Sequence, residues 1–301
     1  MELAPIALFT YNRPYHTKKT LEALSKNKLA EESDLWIFSD APKSSKDEDL
    51  VQQVRDVLNP TGFKSVHVVK REINMGLAAS VIAGSSELLN KYGKVISLED
   101  DLVTSPFFLS FMNEGLEFYE NQEEIFSLSG FSFSREFMRI NRPDDSDVYA
   151  HYRPMSWSWA TWKNRWDKVD WEVADYESFM KDKAKQKAFE LGGRDLTTML
   201  RNQMEGRVDS WYIRWSYACF KQSLLNIYPR YSLVNNIGHD GTGVHKSNEV
   251  RDVFSHQDLL LSKDWKFVTN PVVDKNLVSR FNEAFRPSFM TKLKRKLLIE
   301  R

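Results

Sequence analysis

Short apolar runs alternate with amphipathic helical patterns through the first 130 residues of this 301-residue chain. Helical patterns cover residues 15–28, 47–58 and 77–90, and Ser105 and Pro106 are suited to begin a further helix. The apolar runs are typical of buried strands and lie at residues 6–9, 35–38, 66–69, 95–98 and 125–128. Because parallel strands need crossover connections, this alternation predicts an α/β fold in which a mostly parallel sheet is flanked by helices.

The composition is that of a globular protein, with 42% apolar and 28% charged residues. Its 42 basic and 42 acidic residues cancel, which argues against a nucleic-acid-binding domain with a basic face. One cysteine, Cys219, gives no intramolecular disulfide and no reason to invoke an oxidising compartment. We expect a single compact domain with two functional halves, residues 1–130 and residues 131–287.

Two further features bear on location. The N-terminus lacks a signal-peptide pattern, and no run approaches the roughly 18 apolar residues of a membrane helix, so we expect a cytoplasmic protein. Residues 288–301 carry five basic residues and one acidic residue, interleaved with apolar residues at helical spacing. This pattern is typical of a helix lying on an anionic membrane, although a solvated terminal helix explains it as well.

The usual catalytic and nucleotide-binding motifs are not present. The sequence contains no GxGxxG after the first strand, no Walker A loop, no CxxC, no HExxH and no GxSxG. Ligands of open parallel sheets bind beyond the carboxyl ends of the strands, so the residues there are the first candidates. Three predicted strands are followed at this edge by charged side chains, namely Arg13, Asp40, and the acidic triplet Glu99, Asp100 and Asp101.

The acidic triplet favours a bound cation, because three neighbouring carboxylates repel one another unless positive charge lies among them. Mg²⁺ and Mn²⁺ take one or two protein carboxylates and complete their coordination with water and substrate phosphates. A complex of such a metal with a diphosphate would suit this edge. A solvated acidic turn is the alternative interpretation.

In this order the residues resemble GT-A-fold glycosyltransferases of the inverting, metal-dependent kind, the family of N-acetylglucosaminyltransferase I and bacterial family-2-like sugar transferases. The resemblance implies that Asp101 binds Mn²⁺ or Mg²⁺ and that Glu99 and Asp100 contact the nucleotide-sugar. It also implies that Arg13 and Asp40 hold the nucleoside. Each of these two has a purely structural alternative, a surface ion pair for Arg13 and a turn cap for Asp40.

The resemblance implies that residues 1–130 bind the nucleotide-sugar and that residues 131–287 bind the acceptor and carry out catalysis. It continues into this second half of the chain. The tryptophan segment resembles the part of the family fold beneath the sugar, which implies donor contacts from Trp157 or Trp159. The element Asp209-Ser-Trp resembles the catalytic acidic element, which implies that Asp209 is the general base. A glycine-rich loop ends in His245, which would ligate the metal or contact a phosphate, and His239 is a weaker candidate. Two departures are Ser158 in place of a glycine and Ser210 in place of a second acid.

Each second-half assignment has a structural alternative. Asp209 is also suited to be the N-cap of the helix that follows it. Five of the nine tryptophans lie between residues 157 and 171, and Trp159, Trp162 and Trp166 have the spacing of one buried helix face. His245 is equally explained as an ordinary loop residue. We expect about three of these tryptophans to be structural, as packing aromatic rings commonly are.

The resemblance implies a metal-dependent inverting glycosyltransferase that moves a sugar from a UDP-sugar, such as UDP-GlcNAc, to a glycan or lipid-linked glycan. The implied cofactor is Mn²⁺ or Mg²⁺, and the implied location is the cytoplasm, peripheral on the inner face of the membrane. The alternatives are a catalytically inactive nucleotide-sugar-binding or membrane-interaction protein of the same fold, and a nucleotidyltransferase. The second is disfavoured because a glycine-rich, basic phosphate loop is missing near the N-terminus.

Overall fold

The computed structural model describes residues 2–139, 146–239, 254, 259 and 265–285. In these residues ten strands form a sheet of eight strands and a separate two-stranded ribbon. The strands are β1 (Ile6–Thr10), β2 (Asp34–Ser39), β3 (Ser65–Lys70), β4 (Lys94–Glu99), β5 (Leu102–Thr104), β6 (Ile125–Ser129), β7 (Val148–His151), β8 (Trp159–Trp162), β9 (Leu225–Pro229) and β10 (Val234–Asn236). The helices are α1 (Pro14–Leu24), α2 (Glu48–Asp56), α3 (Gly76–Tyr92), α4 (Phe108–Phe118), α5 (Arg135–Met138), α6 (Lys163–Trp166), α7 (Tyr176–Lys181), α8 (Lys183–Phe189), α9 (Leu196–Met204), α10 (Trp211–Lys221) and α11 (Lys275–Glu283).

The large sheet has the strand order β3-β2-β1-β4-β8-β6-β9-β7. Strands β3, β2, β1 and β4 are parallel, as are β6 and β9, whereas β8 runs antiparallel between β4 and β6, and β7 antiparallel to β9. The prediction of an α/β fold with a mostly parallel sheet is confirmed, and each of the five predicted strands is present. The small ribbon pairs β5 with β10 in antiparallel register.

Both faces of the sheet are buried, which explains why its central strands are apolar without alternation. On one side Ile6 and Leu8 of β1 pack in a cluster that includes residues of α1 and α4. On the other side Ala7 and Phe9 pack in a second cluster that includes residues of α3 and α10. Consecutive residues of a strand point to opposite faces, so one apolar run supplies both layers of the core.

Two predictions of helix starts differ from the structure. The helix expected to begin at Ser105 and Pro106 begins at Phe108, because the Ser105 hydroxyl accepts the amide of Phe107 in a preceding turn. The N-cap of α10 is Ser210, which accepts the amide of Ile213 at 3.4 Å. The capping role considered for Asp209 is therefore wrong.

The tryptophan segment forms a strand and not one helix face. Trp159 and Trp162 are the first and last residues of β8 and pack in different hydrophobic clusters on the two sides of the sheet. Trp166 lies in the short helix that follows, and its ring stacks on Trp159 with centroids 5.4 Å apart. The three-to-four-residue spacing therefore arises from a strand joined directly to a helix.

Among the described residues, none of the helices combines the length and apolarity needed to cross a bilayer. The basic segment 288–301 lies outside the described residues.

Candidate functional site

The carboxyl ends of three parallel strands meet at one edge of the sheet. In the strand register Thr10 of β1 lies beside Ser39 of β2, and Phe9 lies beside Glu99 of β4. The loops that leave these strands carry the side chains singled out in the sequence. The parallel arrangement therefore brings them to the same edge, as expected.

The acidic triplet is poorly hydrated. Burial raises the pKa of Glu99 to about 8, with the neighbouring charges of Asp101 and Asp100 acting in the same direction. Burial and Asp101 also raise the pKa of Asp100 to about 7. The Asp100 carboxylate accepts the Tyr11 amide at 3.4 Å and the Thr17 hydroxyl at 3.3 Å, which ties it to the loop after β1. Negative charge at this edge is unfavourable unless a cation shares the site.

Asp101 forms an ion pair with Arg13, the positively charged side chain predicted at this edge of the sheet. Its Oδ2 atom lies 2.7 Å from Nη1 of Arg13, and both side chains are largely buried, 14% and 13% exposed. The other oxygen, Oδ1, is buried without a hydrogen-bond partner among the described residues. Buried carboxylate oxygens are normally bonded, so this atom marks a position where a ligand would be favourable.

The segment after β10 closes against Asp101. The amide of Ile237 donates to the Asp101 carbonyl at 2.9 Å, and the Gly238 carbonyl accepts from Nη2 of Arg13 at 3.2 Å. A Cβ atom on Gly238 would collide with Asp101 Oδ2 and with Arg13 Nη1. Glycine is therefore required at this position by close approach of the backbone, and residue 238 is part of the site.

His239, the weaker histidine candidate, lies in the electrostatic field of Asp101. Partial burial lowers the pKa of its imidazole, and the Asp101 carboxylate opposes that shift. Its ring lies against the half-buried Trp157, with centroids 5.1 Å apart. The preferred candidate, His245, and the rest of its loop lie outside the described residues. The one signal for His239 in the sequence is its place directly after Gly238.

The Asp40 carboxylate accepts four hydrogen bonds from within the protein. Its Oδ1 atom accepts the amides of Ala41 and Met75, each at 2.9 Å. Its Oδ2 atom accepts the Gly76 amide at 2.9 Å and the Asn74 side-chain amide at 3.1 Å. A carboxylate has about four acceptor positions, so all of them are used at the start of α3. This arrangement favours the turn-cap alternative for Asp40, and its contact with the nucleoside stays a prediction.

Trp159 is also structural. Its side chain is 1% exposed and packs against Trp166, Trp211 and Trp215, with centroids 4.8–5.4 Å away. A ring without exposed surface cannot line a ligand site, so the proposed donor contact of Trp159 is wrong. Trp157, two residues earlier, is half-buried and adjoins His239, and it remains a candidate.

Asp209 lies just before the start of α10, and its side chain is 68% exposed. The first residue of α10, Trp211, packs on Trp159, which pairs in the sheet with Ser97, two residues before Glu99. The start of α10 is therefore near the edge that carries the triplet. Asp209 Oδ1 lies 3.5 Å from Nη2 of Arg214, whose Nη1 donates to the carbonyl of Trp171.

The site fits a divalent metal ion whose coordination is completed by the substrate. Among the described residues, no group of three or more His, Cys, Asp or Glu side chains is arranged to hold a metal ion. Mg²⁺ and Mn²⁺ in phosphate-binding sites need one or two protein carboxylates, and the unbonded Oδ1 of Asp101 supplies one such ligand. The residues present therefore fit a metal held jointly with a diphosphate.

No protein-family model matches the chain, and no curated protein matches it. Solved structures that it resembles include TarS from S. aureus, at 17% identity over 42% of this chain, with a TM-score of 0.29. The chain spans only 21% of the length of that TarS structure, and a structure of TarS residues 1–349 is in complex with UDP-GlcNAc.

Two others are a mannosyltransferase from Pyrobaculum calidifontis, in complex with GDP-Man and Mn²⁺, and the galactosyltransferase LgtC, in complex with donor and acceptor sugar analogs. The mannosyltransferase matches at 11% identity, with 73% of this chain and 68% of its own covered and a TM-score of 0.43. LgtC matches at 9% identity, with 74% and 72% covered and a TM-score of 0.38. Likeness at these values carries no information on substrate, metal or mechanism.

Proposed function

We propose that this protein is a metal-dependent inverting glycosyltransferase, which moves a sugar from a UDP-sugar to a glycan or lipid-linked glycan acceptor. The observation that carries the proposal is Asp101. It lies at the carboxyl edge of a parallel sheet, beside two further carboxylates and a guanidinium, and one of its buried oxygens is unbonded. UDP-GlcNAc is the first donor to test.

The proposed donor site uses the residues around Asp101. Arg13 supplies a planar guanidinium suited to phosphate, and Glu99 and Asp100 contact the nucleotide-sugar. Trp157 offers an aromatic face to the sugar, and His239 or His245 contacts the diphosphate or the metal. Asp101 would hold the metal, which when bound stabilises the negative charge of the departing diphosphate.

Asp209 is the proposed general base. Its exposed carboxylate takes the proton of the acceptor hydroxyl while the hydroxyl oxygen forms its bond to the anomeric carbon. The bond between that carbon and the diphosphate oxygen breaks on the opposite side, so the configuration is inverted and UDP leaves with the electron pair. Arg214 fixes the position of Asp209 through their contact and its own bond to the Trp171 carbonyl.

Release of UDP tests the proposal. The protein is incubated with Mn²⁺ and each of a panel of UDP-sugars, with and without a mixture of glycan acceptors, and free UDP is measured. Asp209→Asn should lose about 10²- to 10⁴-fold in acceptor-dependent turnover and should keep its affinity for UDP. Asp167→Asn is the matched control, because Asp167 is an exposed carboxylate that pairs with Lys163.

Full activity of Asp209→Asn would contradict the assignment of the base. Binding of UDP without turnover of any UDP-sugar would favour the alternative of an inactive nucleotide-sugar-binding protein.

The proposal includes attachment of residues 288–301 to the inner face of a membrane. Deletion of this tail should release the protein from anionic vesicles, and unchanged vesicle binding would refute the attachment.

A further inference from the structure

The Arg13 guanidinium connects both sides of the candidate site. Its Nη1 atom lies 2.7 Å from Oδ2 of Asp101. Its Nη2 atom donates to the Gly238 carbonyl at 3.2 Å and lies 3.0 Å from Nε2 of His16. One side chain therefore neutralises the proposed metal ligand and also fastens the segment after β10. With only 13% of its side chain exposed, Arg13 is poorly screened by water.

The position of Arg13 is unfavourable for a metal ion that binds the same carboxylate. A divalent cation on Oδ1 of Asp101 would share one carboxylate with the guanidinium on Oδ2. Like charges held a few ångströms apart at a partly buried position repel strongly. A metal ion alone should therefore bind weakly while Arg13 stays on Asp101.

A nucleoside diphosphate changes this balance. Its phosphate oxygens are acceptors for a planar guanidinium and ligands for a divalent ion, so the diphosphate attracts both cations. Arg13 can then pair with the diphosphate in place of Asp101. Without nucleotide, Arg13 and the metal ion compete for the Asp101 carboxylate. With nucleotide bound, this carboxylate is available to the metal ion alone.

We propose that Arg13 is an exchangeable counter-ion of Asp101: it occupies the carboxylate while nucleotide is absent, transfers to the diphosphate when nucleotide arrives, and so makes metal and nucleotide binding mutually dependent. The inference rests on the proposed function, since it takes Asp101 as the metal ligand. Linkage requires the coupling to be reciprocal, so Mn²⁺ strengthens UDP binding by the factor by which UDP strengthens Mn²⁺ binding.

Calorimetric titration of Mn²⁺ tests the proposal, with and without saturating UDP, in the wild-type protein, Arg13→Gln and Lys18→Gln. In the wild type, UDP should tighten Mn²⁺ binding by about tenfold or more, within the usual range of coupling between sites. Without UDP, Arg13→Gln should bind Mn²⁺ about tenfold more tightly than the wild type, and added UDP should give a smaller gain. Lys18→Gln removes one exposed positive charge from α1 and should behave as the wild type.

Arg13→Lys is the second variant, in case Arg13→Gln fails to fold. A compact ammonium cannot hold Asp101 and Gly238 together as the guanidinium fork does, so Mn²⁺ binding without UDP should tighten by a smaller factor. Unchanged or weaker Mn²⁺ binding in the folded Arg13 variants, with UDP absent, would overturn the counter-ion proposal alone. Failure of wild-type protein to bind Mn²⁺ even with UDP would overturn the proposed function as well.

Discussion

Asp40 is a carboxylate that accepts four hydrogen bonds from within the protein, which favours a structural role. Two backbone amides reach one oxygen, and a backbone amide and the Asn74 side chain reach the other. Three of the four donors are backbone N–H groups, which every sequence carries. The residues around Asp40 in the sequence therefore gave no sign that its acceptors would be occupied, whereas its place after β2 suggested a ligand contact.

Replacement of Asp40 with Asn should destabilise the fold and leave nucleotide recognition unchanged. The amide side chain would present two N–H groups to donors that need acceptors, and loss of a helix-capping carboxylate typically costs about 1–2 kcal/mol. Chemical unfolding measures the loss, and titration of the folded variant with UDP measures recognition. Asp56→Asn, at an exposed position on α2, is the control. Normal stability combined with weaker UDP binding would support a contact between Asp40 and the nucleoside.

His151 is a buried imidazole outside the candidate site. Its Nδ1 atom accepts the amide of Arg153 at 3.0 Å, and Nε2 has no partner among the described residues. Burial, with the charge of Arg153 acting in the same direction, lowers its pKa to about 3. The imidazole is therefore neutral in the folded protein at every pH near neutrality.

The free energy of unfolding should consequently fall as the pH drops below about 6.5, the ordinary pKa of histidine in the unfolded chain. The unfolded chain gains a proton on His151 that the folded protein does not accept until the pH approaches 3. Between pH 7 and 5 this loss amounts to about 2 kcal/mol. Unfolding curves at several pH values should show a shallower fall in His151→Gln. Parallel pH profiles for the two proteins would contradict this account.

At the scale of elements, β8 decides which tryptophans are structural. The strand inserts antiparallel between β4 and β6 and directs Trp159 into the cluster formed with α10, while Trp157 lies before the strand, next to His239. A helical interpretation of the same residues was natural, because the chain passes from β8 into α6 without a loop. The partners that fix β8 as a strand are thirty or more residues away in sequence, so local spacing could not reveal them.

Phenylalanine substitutions at the two tryptophans should separate their roles. Trp159→Phe should lower the free energy of unfolding by about 2 kcal/mol, less than the 3–5 kcal/mol typical of truncation to alanine, and leave the affinity for UDP-GlcNAc unchanged. Trp157→Phe should keep stability within about 1 kcal/mol and weaken UDP-GlcNAc relative to UDP. Unfolding and ligand titrations on both variants give the comparison. A loss of sugar affinity in Trp159→Phe and not in Trp157→Phe would reverse the assignment.

At the scale of the whole molecule, the two halves predicted at residue 130 share one sheet. Strand β8 from the second half pairs with β4 and with β6, so the hydrogen bonds of the sheet continue across the predicted boundary. The division into donor and acceptor halves stays a prediction about function. It does not correspond to separate sheets.

The parallel strands and the carboxyl edge of their sheet could be predicted from the sequence. Strands buried on both faces are runs of apolar residues followed by polar ones, and this pattern is visible locally. The meeting of Arg13 with Asp101 followed from the rule that such strands end at one edge. The antiparallel strands β7 and β8, and the approach of Gly238 to Asp101, depend on contacts between distant segments. A sequence read along its length contains no comparable local signal for them.

The most direct test of the central claim is the thermal and chemical stability of the protein with Mn²⁺ and UDP. Binding to the folded state should raise the free energy of unfolding by about 2.7 kcal/mol when UDP is at 100 times its Kd, and only with the metal present. Asp101→Asn should lose this metal-dependent rise, whereas Asp49→Asn, at an exposed position on α2, should retain it. An equal rise in Asp101→Asn, or no rise in the wild-type protein, would contradict a metal-dependent nucleotide-sugar site at Asp101.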